Sequence, residues 1–269
     1  MYGGVIMHEP CYVPSFDYPD EWVSCKKGRA FGGCAIGILL FGHAPYAFPP
    51  GSVENASSFK YPVHYRIIKS ASVDAVVTNG ADNAVLTESI EAAKELEAQG
   101  CRAIIGGCGY YANYLPQIRN EVSVPCFMSS LMQLPIILNS IAPDKKVAVI
   151  CADASVLPYA DALKNVGVTD QSRLVIGGGN VSDIPDMTNE ILPGTGGYNP
   201  KALERQVVAT VEKFVKEDPG IGAVLLECTL YPPCSYAVQK AVNLPVFDFI
   251  TMIDWVQAAV VKQPFYGFI

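Results

Sequence analysis

The sequence predicts an α/β fold of two pseudo-symmetric lobes, each a parallel sheet flanked by helices, with the site in the cleft between them. Three observations lead there. Short apolar runs alternate with longer segments of helical periodicity along most of the chain. The runs are brief and rich in β-branched residues, which suits strands covered on both faces. The third observation is that one stretch is built twice. "AIIGGCGYYANYLPQIRNEVSVPCF" (103–127) lies over "AVLLECTLYPPCSYAVQKAVNLPVF" (223–247) without a gap, at a constant offset of 120 residues. Cys108 falls on Cys228, Tyr111 on Tyr231 and Pro125 on Pro245.

Taken in order from Gly33, strands are expected at 34–41, 74–78, 101–106, 124–128, 146–151, 173–177, 222–227 and 244–249. A helix over 86–99 carries Ile90, Ala93 and Leu96 on one face and stops at Gly100, a residue suited to the left-handed backbone that ends helices. A second over 201–216 carries Leu203, Val207, Val211, Phe214 and Val215 and ends near Pro219-Gly220. Strands alternating with helices imply right-handed crossovers and parallel sheets. The boundaries that follow are an irregular N-terminal arm at 1–32, a first lobe at 33–135 plus 250–269, and a second lobe at 136–249. A linker at 129–146 joins the lobes, and the helical tail from Thr251 is expected to pack back on the first. The arm, rich in proline and aromatics, carries no assignable chemistry, and a homo-oligomer is expected.

Composition narrows the function. A chain of 269 residues that is 50% hydrophobic has material for a large core. Its formal net charge is −7 and no run of Lys or Arg stands out, so nucleic acid and acidic membrane surfaces are poor partners. The start, "MYGGVIMHEPCYVP", has neither a basic segment nor a long apolar one, and no apolar run is long enough to cross a bilayer. Nine scattered cysteines, an odd number, suit reduced thiols in a cytoplasm rather than a disulfide framework. With no CxxC pair and three histidines, no metal site is expected.

The repeated cysteine is the chemical signal. Ligands of open parallel sheets sit beyond the carboxyl ends of the strands. Cys108 and Cys228 each follow an apolar strand and precede a helical segment, where backbone N–H groups should lower a thiol pKa and attract an anion. Two related lobes would bring these thiols face to face. Moving a proton between the faces of one carbon needs a base on one side and an acid on the other, matched in pKa, and twin cysteines meet that need. Backbone amides in the cleft would stabilise a carboxylate gaining enolate character. Cys34, Cys101, Cys126 and Cys151 sit inside strand runs and read as packing residues, as do Cys11, Cys25 and Cys234.

"LLECTLYPP" (225–233) and "GGCGYYA" (106–112) resemble the two cysteine motifs of the aspartate/glutamate/hydantoin racemase superfamily. The resemblance runs from about Gly33 to the end and includes "VPCFMSSLMQLP" and "LPVFDFITMIDW". It implies a cofactor-independent racemase or epimerase acting at the carbon α to a carboxylate, with Cys108 and Cys228 as the proton-transfer pair. Gly109, Tyr110 and Thr229 would contact a small carboxylate substrate, and Asn79, at another expected strand end, is a further candidate. The first motif departs from the family, reading Cys108-Gly109-Tyr110 where many members have Cys-Asn-Thr or Cys-Thr. The loop "FPPGSVENASSFKYPVHYR" (48–66) is similar to one in the branch that includes algal dimethylsulfoniopropionate lyases, so elimination on the same scaffold is the alternative. Tyr110, Tyr111, Tyr114, Tyr231 and Tyr236 could hold a sulfonium by cation–π attraction, or simply pack the lobe interface. A non-catalytic small-molecule sensor is the remaining reading. The glycine loops at 175–180 and 192–198 match no nucleotide-binding pattern, and His43, after an expected strand end, could reach the cleft but reads as structural.

Overall fold

The computed structural model describes residues 22, 29–30, 32–44, 46–78, 80 and 82–263. Most of the expected N-terminal arm, Cys11, Cys25 and Asn79 lie outside the described residues.

Two four-stranded parallel sheets form the framework. The first contains β1 (Ile36–Phe41), β2 (Val63–Ile68), β3 (Ala103–Gly106) and β4 (Cys126–Phe127) in the order β2-β1-β3-β4. The second contains β5 (Lys146–Asp153), β6 (Leu174–Gly179), β7 (Ile221–Leu226) and β8 (Val246–Phe247) in the order β6-β5-β7-β8. The repeat reaches the hydrogen-bond register. Ile104 pairs with Cys126 and Ile105 with Phe127, while Val224 pairs with Val246 and Leu225 with Phe247, all at the 120-residue offset (104 to 224, 126 to 246). Two-residue β4 and β8 suffice because a proline precedes each and its carbonyl takes one ladder bond: Pro125 from Ile104, Pro245 from Val224.

Among the described residues seven α-helices cover the sheets: α1 (Asn83–Ala98), α2 (Leu115–Arg119), α3 (Leu134–Ser140), α4 (Asp161–Asn165), α5 (Pro200–Glu217), α6 (Ser235–Val242) and α7 (Phe249–Val260). Asp82 caps α1 by accepting from the Ala84 and Val85 N–H groups, and Gly100 ends it at φ +101°. Asn199 caps α5 in the same way, with Pro200 in the first turn, and Leu203, Val207 and Val211 buried along one stripe. Phe249, Met252, Ile253 and Val256 of α7 share a core with Ile36, Ile38, Ala103 and Ile105 of the first sheet, so the last helix returns to that sheet.

The structure corrects two expectations. The 74–78 segment is a π-helical turn (Asp74–Thr78), not a strand. Its residues favour strands, but Ser72 starts a helical turn by accepting from the N–H groups of Ala75 and Val76, and Val76 and Val77 fill the core from there. The edge position belongs instead to β2, which no apolar run signalled. Its sequence is "VHYRII", half exposed as an edge strand can be, and Arg66 pairs with Glu95 of α1.

Candidate active site

The same local device places each cysteine at the end of a central strand. The residue before the thiol donates its N–H across to the neighbouring strand: Gly107 to the Leu39 carbonyl (2.8 Å), Glu227 to that of Ile150 (2.7 Å). Three residues on, an N–H closes the turn onto the cysteine's own carbonyl, from Tyr111 to Cys108 (3.0 Å) and from Tyr231 to Cys228 (3.1 Å). Cys108 is extended, at φ −164° and ψ 142°, and opens a 3-10 turn over Gly109–Tyr114. Both thiols are free, keep some exposure, and repel one another as they ionise.

Among the described residues, carboxyls rather than cations act on the pair. Glu227 is fully buried, and its Oε2 accepts from the Ala152 N–H at 3.0 Å. Burial drives its pKa from 4.5 up to about 8, the Ala152 bond pulling back. A Cβ placed on Gly109 would fall 1.6 Å from Glu227 Oε1, so the residue after one cysteine touches the residue before the other. This contact joins the two motifs across the cleft, and it requires glycine at position 109. Glu54 comes from the 48–66 loop of the first lobe. Its Oε1 accepts from Thr229 Oγ1 at 2.6 Å, beside Cys228, and burial lifts it to about 6 against the pull of that bond. The loop is pinned there by the Val53 N–H on the Thr229 carbonyl (3.3 Å). Gly51 packs against Pro233 at φ +100°, a backbone that side chains avoid.

The thiols are therefore not activated as the sequence suggested. Burial first, then the charge of Glu227, holds Cys108 well above 9, and the Tyr110 N–H opposes this too weakly. Cys228 is raised in the same way, with the Leu230 N–H opposing. The expected helix N-termini are a 3-10 turn and a short turn before α6, whose few amides lose to the desolvation.

The tyrosines divide. Tyr110 is fully buried and donates its hydroxyl to the Asp153 carbonyl at 2.5 Å, bolting the first motif to the second sheet. Tyr231 donates to the Cys151 carbonyl (3.3 Å) within its own lobe, Tyr111 and Tyr114 are core, and Tyr236 is 77% exposed. His43 is exposed. Tyr46, which the sequence did not single out, is raised by burial first and then by Glu54, with Cys228, Cys108 and Tyr198 adding to it. Glu54 and Glu227 also escaped the sequence reading. An acid closing the apolar run "AVLLE" was the one available sign of Glu227.

Twin α/β lobes, each ending a central strand in a thiol, define the architecture, and solved structures share it. The structure of an aspartate racemase homologue from Pyrococcus horikoshii OT3 superposes with a TM-score of 0.53 at 20% identity, covering 83% of this chain and 98% of that one. Dimethylsulfoniopropionate lyase 7 of Emiliania huxleyi (strain CCMP1516) is 33% identical over 230 residues, 82% of this chain and 67% of that protein. A dimethylsulfoniopropionate lyase of Durusdinium sp. clade D is 30% identical over 226 residues, 81% of this chain and 72% of that protein. The chain thus belongs to the family that includes these lyases, and it shares its fold with the aspartate racemase homologue. It spans between 59% and 67% of the length of three Emiliania huxleyi relatives of that name. No protein-family model matches the chain.

Proposed function

We propose that the protein is a lyase that removes the α-proton of a small carboxylate bearing a sulfonium on its β-carbon. One observation carries this reading: Glu54, a carboxyl that ionises at about 6, is held against Thr229 beside Cys228 and acts on both thiols, and the Tyr46 phenol is coupled to the same groups. A cationic group is the complement of such a surface, through charge and through ring faces.

With dimethylsulfoniopropionate as the substrate, a thiolate of the Cys108–Cys228 pair takes the α-proton. The C–H bond breaks as S–H forms, its electron pair becomes the Cα=Cβ bond, and the Cβ–S bond breaks. Dimethyl sulfide leaves with the electron pair of the broken Cβ–S bond, and acrylate remains. The raised thiols suit such a substrate. They stay protonated until a sulfonium arrives, whose positive charge favours release of one thiol proton to solvent and leaves the thiolate as base. The equivalent environments of the two cysteines favour a second reading, racemisation at the same carbon, which needs a thiol on each face.

Acrylate and dimethyl sulfide release from dimethylsulfoniopropionate tests the proposal. Cys108→Ser and Cys228→Ser should each lower kcat by about 10²–10⁴-fold, the range for a lost proton-transfer group. α-Deuterium exchange into amino acids without any olefin product would refute elimination in favour of racemisation.

A further inference from the structure

Glu227 is the group that the proton-transfer pair does not use and that the fold holds with most care. Its backbone is fixed at both ends, the N–H on the Ile150 carbonyl and the carbonyl accepting from Ser130 Oγ at 3.1 Å. Its side chain is 0% exposed, Oε2 is held by the Ala152 N–H, and Oε1 is buried with no hydrogen-bond partner among the described residues. That free oxygen lies against Gly109, on the turn that carries Cys108. In the other lobe the position equivalent to Gly109 is Thr229, whose hydroxyl is already engaged by Glu54. The polar side chain that the first turn lacks is thus supplied from across the cleft.

The titratable groups that Glu227 acts on are Cys108, Cys228, Cys151, Tyr110 and Tyr231. None carries positive charge, so an ionised carboxylate there would be uncompensated. A carboxyl in such a place keeps its proton, and only the protonated form can donate. We propose that Glu227 acts as a neutral carboxylic acid whose Oε1–H donates a hydrogen bond to the substrate's carboxylate as that group gains enolate charge. The proposal rests on the α-proton abstraction proposed above. Glu227 forms and breaks no covalent bond in it; the proton stays on Oε1 while the substrate oxygen gains charge.

Infrared difference spectroscopy reads the proposal without turnover. Wild-type protein at pH 7 should show the carbonyl band of a protonated carboxyl that is missing in Glu227→Gln, and saturating propionate should shift it. Absence of that band at pH 7, or a band unmoved by propionate up to high concentration, would overturn the proposal. If the band shifts but dimethylsulfoniopropionate gives no acrylate, the donor role stands and the elimination reading falls. Where turnover is seen, Glu227→Gln retains an amide donor and should lower kcat about tenfold. Glu227→Leu has none and should lose about 10²–10³-fold, as for other donors aimed at a developing oxyanion. The glutamine variant should also lose any alkaline decline of kcat near pH 8. Equal losses in the two variants, with wild-type-like thermal unfolding of both, would show that donation plays no part.

Discussion

Replacing Glu227 by glutamine should make the protein more resistant to unfolding as the pH rises. The folded protein holds this carboxyl's proton up to about pH 8, whereas an unfolded chain releases it near 4.5. Between those values the folded state binds more protons than the unfolded one, so stability falls as pH rises through the window. The contribution is fully present below about 4.5 and gone above about 8. At ~1.36 kcal/mol per tenfold of proton affinity, the loss amounts to about 5 kcal/mol, an upper figure because local relaxation would soften it. Glutamine cannot ionise, fits the same space and can still accept from the Ala152 N–H. Urea unfolding of both proteins at half-unit steps from pH 5 to pH 9 gives the comparison. Glu54, raised to about 6, titrates in both and cancels. The stability difference should be small at pH 5 and grow to about 3–5 kcal/mol in favour of the variant by pH 9. Parallel curves over the whole range would mean that Glu227 is ionised in the fold, and the account of a neutral buried acid would be wrong.

Three further outcomes follow from the same geometry. Gly109→Ala places a methyl 1.6 Å from Glu227 Oε1, so calorimetry should show a loss of about 1–3 kcal/mol, as overpacking costs, with a fall in activity; an unchanged Tm would deny the contact. Iodoacetamide at pH 7 should label Cys108 and Cys228 slowly, with rates climbing only above pH 9, because burial holds both thiols protonated; mass spectrometry showing either labelled fast at neutral pH would contradict this. Glu54→Gln should raise KM for a sulfonium substrate about 10-fold or more, by the loss of one partly buried charge partner, and should leave inhibition by propionate little changed. Equal weakening of both ligands would remove Glu54 from cation recognition.

Much of this architecture is written locally and so was legible in the sequence. Strand runs such as 146–151 and the stripe of Leu203, Val207 and Val211 follow from side-chain period alone. The 120-residue repeat by itself ties Cys108 to Cys228, since a duplicated unit places its thiols at equivalent strand ends. Segment 74–78 and β2 were misjudged because the sheet edge is awarded by competition among distant segments, not by propensity. The electrostatics were decided wholly by tertiary structure. Glu54 and Thr229 are 175 residues apart in the chain, and Gly109 meets Glu227 from the opposite lobe. Whether a thiol or a carboxyl keeps its proton depends on which charges and how little water the fold brings within a few ångströms, and no spacing within one motif records that.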